Sequence, residues 1–172
     1  MKGGFGPLFH LVPYEADGVV RALSARVARN GTIIHVGYAL EADLALLRIP
    51  ERKVGGNLWQ HTCFEMFIAR DGLPAYLELN FSPAGEYAVY AFSRYRERGF
   101  DEGSVQPTLD VRRGRDLLEL DARMDSGLSG PLRIGLCAVI EMGDGRLSYW
   151  ALKHPTDKPD FHHPGAFAAR LG

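Results

Sequence analysis

Apolar and polar residues alternate with a period of two along most of this chain, which is the signature of strands lying with one face against a core. The clearest case flanks Asn30-Gly31: Val19 to Arg29 and Thr32 to Leu40 read as two arms of a hairpin. Asn-Gly supplies the positive φ angles of a type I′ turn. In the second arm, Ile34, Val36, Tyr38 and Leu40 alternate with Ile33, His35, Gly37 and Ala39, so both faces are fairly apolar and a central strand is expected. Three more strands, His61 to Ile68, Ala75 to Phe81 and Glu86 to Phe92, are separated by turn-forming Asp71-Gly72-Leu73-Pro74 and Ser82-Pro83-Ala84-Gly85, which makes a meander.

Glu41 to Leu47 has helical spacing, but Pro50 and Gly55-Gly56 argue for an extended crossing loop. Tyr95 to Gln106 also reads as a loop. Thr108 to Arg112 and Leu117 to Met124 form a hairpin whose second arm is half exposed, with Leu118, Leu120, Ala122 and Met124 opposite Glu119, Asp121 and Arg123. Leu132 to Met142 is almost wholly apolar and is expected to be buried on both faces; Gly143-Asp144-Gly145 joins it to Arg146 to Leu152. Ala166 to Leu171 is expected to make a final helical turn. About nine strands are readable, with turns roughly every ten residues. The fold class expected is an all-β antiparallel sandwich, jelly-roll or immunoglobulin-like, of about nine to eleven strands in one domain spanning 1–172.

Composition agrees with one globular domain. Hydrophobic residues are 46% of the 172 and charged residues 24%, an ordinary balance for a packed core. The net charge of −1 and scattered Lys and Arg give no basic stripe, so nucleic acid is not expected as a partner. Arg112, Arg113 and Arg115 read as a solvated hairpin tip. Met1 to Val12 lacks the apolar run of a leader, and nowhere do about 18 apolar residues run together, so neither export nor a membrane partner is expected. Cys63 and Cys137 lie within apolar strand patterns and read as buried free thiols of a cytoplasmic protein.

Candidate chemistry concentrates in two places. Alternation sets His61, Cys63, Glu65 and Phe67 on one strand face and Tyr76, Glu78 and Asn80 on one face of the next. If the polar faces pair, His61, Glu65, Glu78 and Asn80 form one patch. That patch serves a ligand site, surface ion pairs or catalysis; the residues alone leave these open. The second place is the tail, His154-Pro155 and Asp160-Phe161-His162-His163-Pro164, with three of the six histidines inside ten residues. It suits a stiff cap on the sandwich, the rim of a ligand site or a divalent-metal site using His154, Asp160, His162 and His163. Haem needs an axial His or Met in an apolar slot, and His61 and Met66 point to opposite faces, so no cofactor is expected, with haem or a divalent metal as outside options. No nucleophile elbow, phosphate loop, dinucleotide fingerprint or two-histidine metalloprotease helix is present.

The run from Leu58 to Ile68, with Trp59-Gln60-His61-Thr62-Cys63-Phe64-Glu65, and the run from Tyr76 to Glu86 resemble the DOMON-like superfamily related to carbohydrate-binding module family 9. Together with Gly145 to Trp150 and Lys158 to Pro164, they look most similar to a small bacterial DOMON-like branch without assigned activity. The resemblance implies a β-sandwich that holds a sugar or haem on a concave sheet face or rim. In family 9 modules two tryptophans grip the sugar, and Trp59 and Trp150 lie at comparable places. The function expected is therefore a non-catalytic module for a sugar or similar polyhydroxylated small molecule. It would use Trp59, His61, Glu65, Glu78, Asn80, Tyr149, Trp150, His154, Asp160 and His162. A metal-assisted or carboxylate-dependent enzyme and a protein-interaction domain are the alternatives. Oligomeric state is not legible.

Overall fold

The first hairpin forms with its turn one residue later than the Asn-Gly pair suggests. In the computed structural model, which describes residues 6–99 and 104–172, Asn30 pairs with Ile33, so Gly31 and Thr32 make the turn. Gly31 alone has positive φ (62°), the pattern of a Gly-first type II′ turn and not of type I′. Segments 1–5 and 100–103, parts of the N-terminal stretch and of the Tyr95–Gln106 loop, lie outside the described residues.

Thirteen strands are seen among the described residues: β1 (Leu8–His10), β2 (Val12–Pro13), β3 (Val20–Asn30), β4 (Ile33–Ala42), β5 (Cys63–Arg70), β6 (Tyr76–Phe81), β7 (Tyr87–Arg94), β8 (Glu97–Arg98), β9 (Thr108–Arg113), β10 (Leu117–Asp125), β11 (Leu132–Glu141), β12 (Leu147–Ala151) and β13 (Ala169–Leu171). All pairings are antiparallel. They build a five-stranded sheet, β1-β3-β4-β10-β9, and an eight-stranded sheet, β2-β12-β11-β5-β6-β7-β8, with β13 beside β12 on β11. The expected β-sandwich is thus observed. No helix among the described residues is long and apolar enough to cross a membrane.

Some elements differ from expectation. Leu44–Leu46 does form a short 3-10 turn, because Asp43 caps it by accepting from the Ala45 amide. A second 3-10 turn, Leu58–Gln60, precedes β5. The end of the chain is not helical: after a 3-10 turn at Pro164–Ala166 it pairs as β13, since β11 is long enough to take β12 and β13 end to end. β4 is central, as expected, and its His35 is exposed on the outer face of the five-stranded sheet.

Between the sheets, Phe64, Met66, Ile68, Leu79 and Phe81 meet Leu23, Ile34, Leu40, Leu118 and Leu120, all nearly or wholly buried. A second apolar cluster lies on the opposite face of the large sheet, where Phe67, Tyr76, Phe92 and Cys137 are covered by Phe161, Ala166 and Phe167 from the tail. Gly135 allows that close approach: a Cβ there would stand 3.3 Å from Phe167 Cδ1 and from Phe67 Cβ. The tail therefore caps the outer face, and β5 and β6 are buried on both sides.

Candidate functional site

β5, β6 and β7 place alternate residues on this outer face. The register sets Glu65 opposite Asn80, Phe67 opposite Glu78, and Glu78 opposite Tyr90, so three of the four residues of the polar patch, Glu65, Glu78 and Asn80, share the ladder, without His61. A cleft of about 470 Å³ opens above it. Its floor is Glu65 and Glu78, 3% and 6% exposed. Its walls are aromatic and aliphatic: Trp59, Tyr90, Phe92, Val139, Tyr149 and Phe161. Arg96, Arg98 and His162 add charged and polar groups to the lining.

Hydrogen bonds give the polar groups fixed directions. Asn80 Nδ2 donates to Glu78 Oε1 at 3.1 Å. His162 Nε2 faces Glu78 Oε2 at 3.5 Å, and its Nδ1 lies 2.8 Å from the Tyr76 hydroxyl. That hydroxyl also accepts from the Arg96 amide at 3.1 Å. Asp160 buttresses the rim: Tyr95 donates to Oδ2 (2.6 Å) and Arg96 to Oδ1 (2.9 Å). The Arg98 guanidinium sits 4.0 Å from the centre of the Tyr90 ring.

Electrostatics divides these groups by burial. Loss of solvent, and then the charge of Glu78, push Glu65 well above the usual carboxylate range; loss of solvent also raises Glu78, against the pull of Asn80, Arg98 and Arg96. His162 is pushed down to about 4 by burial and by Arg96, partly opposed by Asp160. Burial would raise Asp160, but the bonds from Tyr95 and Arg96 outweigh it and hold it low.

Of the residues expected in a site, Trp59, Glu65, Glu78, Tyr149 and His162 line the cleft. Asn80 lies wholly buried beneath it, and Asp160 braces its rim. Three stand elsewhere. Trp150 points between the sheets, 5% exposed, because β12 turns Leu147, Tyr149 and Ala151 outward and Ser148 and Trp150 inward. Its Nε1 donates to Ser148 Oγ (2.9 Å) and Asp17 Oδ2 (3.3 Å), so the expected two-tryptophan grip is not what this fold builds. His61 precedes β5 and pairs with Glu141 (3.0 Å), which Arg48 also approaches. His154 bonds the Val12 carbonyl at 2.9 Å.

The tail residues offered for a divalent metal are engaged separately. His163 Nδ1 accepts from the Gly165 amide and Asp160 is tied to Tyr95 and Arg96, so the tail residues do not converge. Among the described residues no three His, Cys, Asp or Glu side chains form a metal-holding group. Sequence reading missed Tyr90, Phe92, Arg96, Arg98 and Phe161. Tyr90 and Phe92 were within reach of the alternation once β7 was paired to β6; the arginines come from a short hairpin with no periodicity to announce them.

No family model and no curated protein matches this sequence. Among solved structures, a "putative carbohydrate-binding protein" from Bacteroides uniformis ATCC 8492 is similar over 95% of this chain and 84% of that one, at TM-score 0.70 and 16% identity. That likeness shows the shared fold, a two-sheet β-sandwich. On it this chain carries a ligand-sized cleft over the outer face of the larger sheet.

Proposed function

We propose that this domain is a non-catalytic module that binds a sugar or similar polyhydroxylated small molecule in the outer-face cleft. The observation that carries the reading is a pair of buried carboxyls, Glu65 and Glu78, at the floor of an aromatic-walled cleft. Burying such groups costs stability, and an apolar pair would pack there more cheaply. Aromatic faces stack on the C–H faces of a sugar ring, while carboxyl oxygens accept from adjacent hydroxyls. The neighbouring carbohydrate-binding description and the DOMON-like resemblance of Trp59 to Glu86 support the same reading. The free thiols Cys63 and Cys137 suit a reducing, cytoplasmic setting.

Isothermal titration with D-glucose, D-xylose, D-galactose, N-acetylglucosamine and their disaccharides tests it. At least one is expected to bind at about 1 mM or tighter, with the heat lost in the isosteric Glu78→Gln. Absence of heat for every sugar at millimolar concentration would sink the proposal. The adjacency of Glu65 and Glu78 also favours a second reading, carboxylate-dependent glycoside cleavage. Release of nitrophenol from aryl glycosides, abolished by Glu78→Gln, would replace the first reading with this one.

A further inference from the structure

The buried amide of Asn80 decides where a proton resides beneath the cleft. Its Nδ2 donates to Glu78 Oε1, and the reversed amide would set Oδ1 against that carboxyl, acceptor against acceptor, so the orientation follows from chemistry. Oδ1 is thereby turned away from Glu78. Among the described residues it is the buried side-chain polar atom left without a hydrogen-bond partner. An unmet buried acceptor costs about 1–3 kcal/mol, so a donor is called for.

Glu65 is the residue placed to supply one. It is the direct cross-strand partner of Asn80, on the same face, where opposed Cβ atoms lie about 4.5–5.5 Å apart. An ionised Glu65 would add a further acceptor beside Oδ1; a carboxylic acid brings an O–H. Glu78 is in the opposite situation: Asn80 Nδ2 donates to one of its oxygens, and His162 Nε2 lies 3.5 Å from the other. One proton shared between two adjacent carboxyls therefore belongs on Glu65.

We propose that Glu65 is held as the un-ionised acid at neutral pH, donating to Asn80 Oδ1, and that this bond locks Asn80 and so orients the Glu78 carboxylate for the ligand. Glu65 and Asn80 are then positioning residues, and the ordered chain runs Glu65, Asn80, Glu78, His162, Tyr76 and the Arg96 amide. Only the ligand toward which Glu78 is oriented rests on the sugar-binding reading. The groups facing Glu65 agree. Cys63 on its own strand and Cys137 on β11 are thiols that burial keeps protonated, and the Tyr38 hydroxyl from the facing sheet donates to the Glu65 carbonyl at 2.7 Å. The cations of the cleft, Arg96 and Arg98, act on Glu78. The floor thus presents one negative charge and only acceptors, which suits neutral hydroxyl groups at its deep end.

Carbon-13 NMR of glutamate carboxyls in the full chain tests this without any ligand. One resonance, assigned through the chain and absent in Glu65→Gln, is expected to keep the shift of a protonated acid through pH 7. A Glu65 resonance at the ionised position at that pH overturns the proposal, and it does so whether or not a sugar binds. Glu65→Gln retains an N–H donor for Oδ1 and carries no charge, so the Glu78 carboxyl resonance of the folded variant is expected to stay at the ionised position it holds in the parent at pH 7. A Glu78 resonance that moves from the protonated to the ionised position in that variant places the proton on Glu78 and also overturns the proposal. Should that variant fail to fold, the titration of the parent decides alone.

Discussion

The two faces of β5 and β6 are both buried, yet they are built for different ends. Inward, Phe64, Met66, Ile68, Leu79 and Phe81 are uniformly apolar and pack against the smaller sheet. Outward, the intervening positions are Cys63, Glu65, Phe67, Tyr76, Glu78 and Asn80, covered in part by the tail, with Glu65 and Glu78 reached through the cleft. One face gains its stability from area removed from water. The other accepts buried carboxyls and an amide, and holds them with directed hydrogen bonds. The difference teaches that burial alone does not mark a core; a face that is both sealed and polar is more informative than an exposed polar one.

The contrast is broken most severely from the inside. Phe81→Ala removes a wholly buried ring and is expected to cost about 3–5 kcal/mol, read as a lower denaturation midpoint at unchanged slope. A smaller loss in the midpoint than that of an exposed-site control such as Leu46→Ala would refute the packed inner face. Next come the two tryptophans, whose roles the fold separates. Trp150→Phe deprives Ser148 and Asp17 of a buried donor and is expected to cost about 1–3 kcal/mol while leaving sugar affinity unchanged. Trp59→Ala, at a ring 45% exposed, is expected to change stability by no more than about 0.5 kcal/mol and to weaken sugar binding about tenfold. The reverse pattern in paired melts and titrations would mean that the cleft has been put on the wrong face.

A further effect is one of pH. His162 titrates near 6.5 when unfolded and at about 4 in place, so below 6.5 the unfolded chain takes up a proton the folded chain refuses. Its contribution is whole above 6.5 and is lost as pH falls toward 4. Glu65, raised on folding, acts with opposite sign: its contribution is whole below about 4.5 and declines as pH rises. His162→Gln is expected to flatten the acid side of a melting-temperature profile, and an unchanged acid slope would place that loss elsewhere.

Much of this was legible beforehand because period-two alternation survives in any half-buried strand. The meander, the late hairpins and the shared face of Glu78 and Asn80 follow from it, while the register that sets Glu65 opposite Asn80 comes from the fold. Trp150 was misread for the same reason that it packs well. A large aromatic with one polar atom suits a groove or a core equally, and only the outward turn of Tyr149 on β12 decides between them. His154 and His61 are alike: a histidine's sequence neighbours do not reveal that a distant carbonyl or carboxyl will claim its nitrogen.

By itself, the sequence determined the strands, their turns, the two-sheet class and the alignment of two glutamates and an asparagine on one face, because these depend on local geometry and short register. Tertiary structure decided that the face would be covered. It brought Phe161, His162 and Phe167 back from the end of the chain across β5 and β6, and Arg96 and Arg98 to the side. That covering turned an ordinary polar strand face into a buried floor, where loss of solvent pushes both neighbouring carboxyls toward the un-ionised form.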